Sequence, residues 1–527
     1  MGFFTELEKT QNITFTENGD IAYRQVLAAG DVKNNLRFFG LGGAMRGKDT
    51  TVKEMFGKAF LENEELAIEN LLYLRDLRGG KGERKLFRAC LEHLADVAPE
   101  KTESLLPLIL EYGRGDDLLV LVEKLSTRQV VCDYICKKIK EDLDRFEAGE
   151  TVSLLAKWMP KPNATAKHKR ELARIIAAAM GMSEGEYRRV ISKLRSRLNL
   201  VETALTQKKP VDYATVPSQA MMKHTGQGSF YAKNNLNAFP RNDKEAYQAY
   251  VESLVKGERK VNAATVNPVQ VYKRAFATPD LSQAQWNEIE ERVPATDKRI
   301  IIVRDGSGSM IGDPLAIATS LAILASGSLT GEFKDKFITF SHEPRLVDLS
   351  GCGSLADKRR RCEKEADCSN TNIEATYDLI LETSKHCAPA DYITNVVVIS
   401  DMQFDMGTIA GGHDYDVEIP DNIFTFDEIL QYAIEMEKKR KKTDKSPTFA
   451  QVRKKFTRAG IPFPTMTYWN VAARNLSFPT DTIDGVQFVS GYSDAIYADI
   501  LKNGSVDAVE FMLKTLERYR KCTEAVM

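Results

Sequence analysis

An aspartate and two serines follow a hydrophobic run in the spacing Asp-x-Ser-x-Ser. The run IIIVRDGSGSM extends from Ile300 to Met310 and places Asp305, Ser307 and Ser309 directly after its apolar residues. At the carboxyl end of a buried parallel strand, this spacing turns one carboxylate and two hydroxyls toward one point, which suits a hard divalent cation. The sequence therefore predicts a metal site, although a simple Gly/Ser strand-to-helix turn would have the same composition.

Two later segments offer further oxygen ligands. The loop after Cys368 carries Thr371 and opens a helix with the sequence NIEATYDLIL. Farther on, the β-branched run VVVIS ends at Asp401 and is typical of a parallel strand. A third hydroxyl and a second carboxylate can therefore reach the same ion.

These three segments together resemble the metal-ion-dependent adhesion site of von Willebrand factor A (vWA) domains. In that family an Asp and two Ser of the first loop, a Thr of the second and an Asp of the third hold Mg²⁺, and a partner's carboxylate fills the open position. The resemblance implies a doubly wound, Rossmann-like α/β sheet with the ion at the carboxyl ends of its strands. It also implies Mg²⁺ as the cofactor, or another divalent cation such as Mn²⁺ or Ca²⁺. The implied ligands are Asp305, Ser307, Ser309, Thr371 and Asp401.

A Gly/Asp-rich stretch after Asp401 departs from the vWA pattern. It covers Met406 to Phe424 and is expected on the metal face. Such an insertion could cover the ion or supply its own carboxylate through Asp414 or Asp416. The sequence therefore does not decide whether a partner can reach the ion.

A strongly basic segment lies in the first half of the chain. The net charge of the whole chain is −1, yet residues 151–210 carry thirteen basic and four acidic side chains, a net charge of +9. Between Tyr187 and Leu198 the apolar residues share one face of a helical wheel, and the rest of the wheel is basic. Ordinary solvated helices mix both signs, so this face favours contact with phosphates. The candidate RNA-binding residues are Lys157, Lys161, Lys167, Lys169, Arg170, Arg188, Arg189, Lys193, Arg195 and Arg197.

Three shorter strings are less specific. In LRDLRGGKGERKLFR, basic residues from Arg75 to Arg88 surround glycines that could admit a phosphate, although capping of the preceding helix is favoured. The string GGAMRGKD, from Gly42 to Asp49, nearly matches a phosphate-binding loop, but Asp49 replaces the hydroxyl that binds magnesium. ATP binding is therefore not predicted. The tripeptide RGD at residues 114–116 is interpreted as chance.

Length and periodicity divide the chain into two parts. With 527 residues and 43% hydrophobic content, it exceeds the usual size of one core. Successive short amphipathic helices suggest a HEAT-like α-helical repeat array that can close into a ring. We predict an α plus α/β multidomain protein, with an α-helical repeat domain over residues 1–285 and a vWA domain over residues 290–527. In the second domain, further strands are predicted at 337–340, 396–400, 465–469 and 486–490, with a closing helix at 506–518.

Cysteine usage and hydropathy indicate the compartment. The eight cysteines form no C-x-x-C pair and no secretory signal precedes them, which is typical of free thiols in a reducing cytoplasm. No apolar run is long enough to span a membrane. We therefore expect a cytoplasmic protein without a membrane partner.

A helical array followed by a vWA domain resembles the Ro autoantigen family, whose TROVE module is a ring of helical repeats closed by a vWA domain. The likeness is closer to an uncharacterised family of Ro-like proteins in bacteria, phages and plants, on blocks such as AKWMPKPNATAKHKRELA, YRRVISKLRSRLNLVE and DGSGSM. It spans roughly Ile21 to Ala495. The resemblance implies a ribonucleoprotein in which structured or misfolded RNA ends thread a basic ring, while the outer rim binds a small noncoding RNA.

Three classes of function fit these observations. The favoured one is a non-catalytic RNA-binding scaffold of Ro type with a Mg²⁺-dependent interaction site. The alternative is a metal-dependent protein-interaction module without RNA, for example an adaptor to a chaperone-like ATPase, whose partner offers a carboxylate to the ion. A metal hydrolase is disfavoured because the ligand set includes no evident general base. The oligomeric state is left open.

Overall fold

The computed structural model describes residues 3–15, 21–225, 237–340, 344–365, 373–403, 448–474, 476–503 and 507–526. The predicted ligand Thr371 and the stretch from Met406 to Phe424, with Asp414 and Asp416, lie outside this part of the chain. In the described residues, no helix is both long enough and apolar enough to cross a membrane.

Short helices dominate the chain up to Glu290, as the periodicity predicts. In the helix that follows the basic loop, Phe87, Cys90, Leu91 and Leu94 are fully buried on one face. Val97, the last residue of this helix, is 52% exposed. The helices are α1 Phe3–Asn12, α2 Lys33–Leu41, α3 Asp49–Glu62, α4 Glu64–Arg75, α5 Arg84–Val97, α6 Pro99–Ser104, α7 Leu106–Tyr112, α8 Leu119–Glu123, α9 Arg128–Glu147, α10 Leu155–Trp158, α11 Lys167–Ala179, α12 Glu184–Arg197, α13 Val201–Thr206, α14 Ser218–Thr225, α15 Ala238–Asn242, α16 Lys244–Val255, α17 Pro268–Arg274 and α18 Pro279–Glu290.

A small antiparallel ribbon interrupts the helical pattern near the start of the chain. It pairs β1 (Ile13–Phe15) with β2 (Ile21–Tyr23), and the sequence analysis did not predict it. The backbone of Tyr23 also exchanges hydrogen bonds with that of Phe478, at 2.8 and 2.7 Å. Three-residue strands are too short to show an alternating pattern, so only pairing with a distant segment reveals them.

The second part of the chain forms a mixed six-stranded sheet with helices between its strands. Its strands are β3 Ile300–Asp305, β4 Lys336–Phe340, β5 Leu346–Asp348, β6 Asn395–Ser400, β7 Thr465–Asn470 and β8 Val486–Ser490. The described helices of this part are α19 Asp313–Gly327, α20 Leu355–Lys364, α21 Ile373–Ser384, α22 Thr448–Ala459, α23 Asp494–Asn503 and α24 Ala508–Glu524. All four strands predicted after the first one are confirmed, and the closing helix is α24.

The strand order of this sheet is β5-β4-β3-β6-β7-β8, and every neighbouring pair is parallel except β4 with β5. The order reverses between β3 and β6, as in doubly wound sheets, where ligands bind beyond the carboxyl ends of the central strands. The β3 strand ends at Asp305 and β6 ends immediately before Asp401. The topology therefore brings the first and third predicted metal segments side by side.

The beginning of the helical part packs against the end of the chain. Tyr73 donates a hydrogen bond to Asp499 at 3.2 Å, and Tyr519 donates one to Asp76 at 2.9 Å. Apolar residues of α2, α3, α4 and α5 share one buried cluster with residues of the sheet and of α24. The first helices and the C-terminal part are therefore continuous in one core.

The end of the helical part packs against the sheet region as well. Helix α17 lies against α19, and the Arg359 guanidinium donates to the carbonyls of Tyr272 and Lys273 at 3.1 and 3.0 Å. Arg292 forms an ion pair with Asp494 at 2.9 Å. The helical part thus contacts the C-terminal part at both of its ends.

Gly43 allows the closest approach between the two parts. A Cβ at this position would lie 2.5 Å from the carbonyl oxygen of Ser490, at the end of β8. Because that obstacle is backbone, we expect Gly43→Ala to lower the free energy of unfolding by about 1–3 kcal/mol, as overpacking does. Urea unfolding checks this value, with Gly351→Ala as the control because a Cβ there meets open space. Equal stability of the two variants would contradict the close approach.

Candidate metal site and cationic cavity

Four of the five predicted metal ligands lie in the described residues, and three of them are buried. Asp305 and Asp401 are fully buried, Ser307 is 3% exposed and Ser309 is half-buried. Their loops follow β3 and β6, which are neighbours in the sheet. The structure therefore gathers two carboxylates and two hydroxyls beyond the ends of two adjacent strands.

Hydrogen bonds orient these side chains. The Asp305 carboxylate accepts from the Ser307 backbone N–H at 2.9 Å and from the Ser400 hydroxyl at 2.5 Å. The Ser307 and Ser309 hydroxyl oxygens are 3.0 Å apart, and Asp401 accepts from the Gln403 N–H at 3.2 Å. Burial, followed by the negative charge of Asp401, raises the pKa of Asp305 to about 7. Two buried carboxylates in one site disfavour each other's charge unless a cation joins them.

Arg474 supplies a positive charge at this site. Its Nε lies 3.3 Å from Asp401 Oδ2, and one of its terminal nitrogens donates to the carbonyl of Ser309. The sequence analysis did not single out Arg474. It lies in the loop after β7, and no local pattern connects that loop with the Asp-x-Ser-x-Ser segment.

The donor set fits a hard cation. Carboxylate and hydroxyl oxygens are the ligands that Mg²⁺ and Ca²⁺ prefer. Within the described part of the chain, no group of three or more His, Cys, Asp or Glu side chains is gathered at one point. An ion held by Asp305 and Asp401 would therefore depend on Ser307 and Ser309 as well.

A cationic cavity of about 500 Å³ lies between the first and the last helices of the helical part. We use the name cationic cavity for the space lined by Arg46, Arg75, Arg84, Lys85 and Arg114, of which Arg84 and Lys85 are exposed. The opposite wall is polar and uncharged. It comprises Gln219, Thr265, Asn267 and Gln270.

A buried ion pair holds part of the basic wall of the cationic cavity in place. The Arg75 Nε contacts Asp117 Oδ2 at 2.8 Å, and both side chains are about fully buried, at 1% and 0% exposure. One terminal nitrogen of Arg75 has no hydrogen-bond partner among the described residues. Burial lowers the pKa of Arg84, and the positive charges of Arg114 and Arg88 lower it further. Positive charge therefore exceeds what Asp117 and its neighbour Asp116 neutralise.

An aromatic ring extends the cavity toward the predicted basic segment. The Arg114 guanidinium stacks 3.9 Å above the Trp158 ring, and Arg114 forms a fork with Asp116. On the other side, the Arg46 guanidinium lies 3.8 Å from the ring centre of Tyr492 and pairs with Glu83. Planar cations fixed against rings and carboxylates are held in defined orientations.

The glycines of the basic loop cap α4, as the sequence favours. The backbone N–H groups of Lys81 and Glu83 donate to the carbonyls of Tyr73 and Leu74 at 2.9 and 2.8 Å. A Cβ on Gly80 would lie 2.2 Å from the Tyr73 carbonyl oxygen, so the turn requires glycine. The same turn both caps α4 and places the basic residues Arg84 and Lys85 at the cavity.

The ten candidate RNA-binding residues do not form a single free surface. Arg195 donates to the carbonyls of Ala156, Lys157 and Met159 at 2.7 to 3.0 Å, and Arg197 donates to that of Gly149. Lys193 pairs with Glu147, and Arg170 binds the carbonyls of Ala164 and Thr165. Four of these cations are therefore bound to carbonyl or carboxylate groups of the protein itself. A helical wheel of α12 cannot show this, since Glu147 comes from α9.

The other six candidates remain near solvent. Arg188, Arg189, Lys167 and Lys169 are exposed, while Lys157 and Lys161 are half-buried. Burial lowers the pKa of Lys161, and the positive charges of Arg195 and Arg188 lower it further, so these three cations are close together. Lys157 lies 5.5 Å from the Trp158 ring. The basic face of α10 and α12 thus begins where the cationic cavity ends.

In the sequence, the cavity residues belong to separate motifs to which no function was assigned. Arg46 belongs to the near-match of a phosphate-binding loop, and Arg114 to the RGD tripeptide. The density of cations between Arg75 and Arg88 was the one available signal. Their convergence depends on contacts between helices that are far apart in the chain.

Two family models match this chain, and both describe domains of unknown function. Residues 128–301 match the domain of unknown function DUF2828, and residues 299–525 match the domain of unknown function DUF7788. This agrees with the resemblance to an uncharacterised family, and neither description names a vWA domain.

The chain is also similar to one characterised fold and to one uncharacterised relative. It is 27% identical to an uncharacterized protein of Acanthamoeba polyphaga mimivirus, over 96% of this chain and 88% of that protein. The crystal structure of the Deinococcus radiodurans Ro (RSR) protein aligns with 92% of this chain and 93% of its own, at 12% identity and a TM-score of 0.35. At this TM-score the similarity supports no statement about ligands, so the Ro-like function remains a proposal.

Proposed function

We propose that the protein is a non-catalytic RNA-binding scaffold with a Mg²⁺-dependent interaction site on its C-terminal part. The observation that carries this proposal is the cationic cavity, a space of about 500 Å³ lined by five basic side chains and by the acidic Glu83, which pairs with Arg46. Phosphate contact from arginine and lysine supplies most of the affinity of proteins that bind nucleic acids without reading sequence.

The chemistry of the cavity favours a phosphodiester over a simple inorganic anion. Arginine forks bind phosphate oxygens in pairs, and Arg84 and Lys85 are exposed at the opening. Amide side chains on the opposite wall, such as Gln219 and Gln270, can bond sugars or base edges. The Trp158 ring holds the Arg114 guanidinium in its orientation at the cavity. A strand that enters the cavity can therefore continue along Lys161, Arg188 and the rest of the exposed basic face.

The metal half of the proposal rests on the oxygen donors beyond β3 and β6. Asp305, Ser307, Ser309 and Asp401 would hold Mg²⁺, with Thr371 as the further ligand that the vWA resemblance implies. Bound Mg²⁺ would supply a Lewis-acidic position for a carboxylate of a protein partner. The donor set offers ligands for an ion, and we propose no reaction at it.

The RNA half is tested by recovering the native protein from cells after crosslinking and sequencing the attached RNA at rising salt. We expect enriched RNA that is lost steeply as salt increases, because each phosphate contact releases a counterion. Recovery of no RNA above background, from a protein that is intact and folded, would refute RNA binding.

A metal-dependent protein-interaction module is the second candidate function. It is favoured by Ile311, which is 64% exposed directly after the metal loop. A cavity of about 470 Å³, called the metal-side cavity, lies beside this face and is lined by residues that include Lys48, Pro314, Arg474 and Tyr492.

Asp305→Ala separates the two candidate functions. We expect this variant to lose co-purifying protein partners while its RNA recovery is unchanged, since Asp305 does not line the cationic cavity. Quantitative mass spectrometry and RNA sequencing of the same crosslinked sample measure both. Loss of RNA with retention of all protein partners would reverse the assignment.

A further inference from the structure

We propose that Arg474 is the resident counter-ion of the metal site, and that a divalent cation displaces its guanidinium from Asp401. In this view the arginine sets the affinity of the site for its ion and then takes part in binding the partner's carboxylate. The inference rests on the metal half of the proposed function and is independent of RNA binding.

The guanidinium contacts two of the segments that supply metal ligands. It lies 3.3 Å from the Asp401 carboxylate and donates to the Ser309 carbonyl. Asp401 is fully buried, whereas the Arg474 side chain is 42% exposed. The Arg474 guanidinium therefore reaches the site from the solvent side, whereas the Asp401 carboxylate is enclosed by the protein.

Charge balance makes the two cations alternatives. Asp305 and Asp401 are both fully buried beyond the ends of the adjacent strands β3 and β6, so the site requires a compensating positive charge. A guanidinium supplies one positive charge and a divalent ion supplies two. An ion bound to Asp401 would repel the adjacent guanidinium and take over the carboxylate oxygen beside it.

The backbone of this loop is held by the helical part of the chain. Lys48 Nζ donates to the carbonyls of Ala473 and Arg474 at 2.5 and 2.6 Å, and the Ala473 N–H donates to the Ala44 carbonyl at 3.1 Å. Displacement of Arg474 therefore requires only rotation of its side chain, with the main chain in place.

The space for that rotation is the metal-side cavity, which Arg474 already lines. A guanidinium turned into this cavity stays beside the ion. It can then form a paired hydrogen bond with the carboxylate that completes the coordination of the metal. The expected partner segment is acidic, because the cavity is lined by the cations Lys48, Arg46 and Arg474 and by one carboxylate, that of Asp313.

The test is Mn²⁺ binding to the full-length chain. Electron paramagnetic resonance measures the concentration of the free ion during the titration. We expect Arg474→Ala to bind Mn²⁺ about tenfold more tightly than the wild type, the size of one charge-assisted hydrogen bond. Arg474→Lys should fall between them. Arg458→Ala removes an equal charge from an exposed position on α22 and should match the wild type.

Thermal unfolding provides a second readout. In EDTA, Arg474→Ala should melt below the wild type because Asp401 loses its counter-ion, and saturating Mn²⁺ should abolish that difference. Unchanged or weaker Mn²⁺ binding by Arg474→Ala, with normal binding by the wild type, would overturn the inference and leave the metal site standing. Absence of Mn²⁺ binding in every variant would overturn both, and RNA binding would be unaffected by either result.

Discussion

Charge reversal at the mouth of the cationic cavity, Arg84→Glu with Lys85→Glu, is expected to lower RNA affinity by about 100-fold at 0.1 M salt, because two phosphate contacts are lost and repulsion replaces them. The slope of log affinity against log salt should fall by about 2 for the same reason. Both side chains are exposed, so the fold should be unaffected. Fluorescence anisotropy of a labelled 20-nucleotide uridine oligoribonucleotide measures affinity and slope together.

The matched control is Arg188→Glu with Arg189→Glu, which changes the charge equally on the exposed face of α12. These residues lie on the continuation of the proposed RNA path, so we expect a loss of about tenfold or less. A greater loss on α12 than at the cavity would move the main RNA site to the helix face. Unchanged affinity in both variants would refute a phosphate-based RNA site in either place.

Lys81 is expected to make stability depend on pH in the neutral to alkaline range. Its side chain is 2% exposed, and its Nζ binds the Phe39 carbonyl and the Ser490 hydroxyl, the latter at 3.1 Å. The rings of Phe39 and Tyr73 lie 5.0 and 5.4 Å from the ammonium nitrogen. Burial lowers the pKa of Lys81 to about 7 from its ordinary value of 10.5, although the charge of Glu83 opposes the change.

The sign of the effect follows from proton binding. Between pH 7 and 10.5 the unfolded chain keeps the Lys81 proton and the folded chain has lost it, so stability rises with pH. Below pH 7 both states are protonated and the full penalty of the buried charge remains. One pKa unit corresponds to about 1.4 kcal/mol, so the penalty relieved across the whole interval is on the order of 5 kcal/mol.

Comparison of the wild type with Lys81→Met isolates this contribution, because other titrating groups cancel. We expect the stability of the wild type relative to the variant to increase by about 3 kcal/mol from pH 7 to 9.5, measured by urea unfolding. Lys85→Met, an exposed neighbour in the same loop, should show no such trend. A difference that is constant with pH would mean that Lys81 titrates at its ordinary pKa.

Periodicity and strand composition predicted most of the architecture because they are local properties. The run after Arg299 forms β3, and the run ending at Ser400 forms β6, as a parallel strand buried on both faces requires. The last helix of the first part ends at Glu290 and the first strand of the sheet begins at Ile300, whereas the predicted domains meet between residues 285 and 290. Very short strands such as β1 and β2 cannot be predicted from local periodicity, because only their pairing in the folded chain identifies them.

The candidate site was predictable only in part. Asp305 and Asp401 end neighbouring parallel strands, so their proximity follows from the sheet rule alone. Arg474 could not be found in this way, since nothing near it in the sequence indicates which carboxylate it meets. The basic helix shows the converse, because nothing near Lys193 in the sequence indicates that this candidate for phosphate contact pairs with Glu147.

The sequence by itself determined where the helices and strands lie and which residues end the central strands, since hydrophobic period and turn chemistry act over a few residues. Only the tertiary structure decided which charges are neutralised. Arg75, Arg46 and Arg114 are paired with Asp117, Glu83 and Asp116, whereas Arg84 and Lys85 are exposed at the same cavity. Electrostatic partners are chosen by distance in space, and a chain that folds back on itself sets those distances through packing contacts that no local pattern encodes.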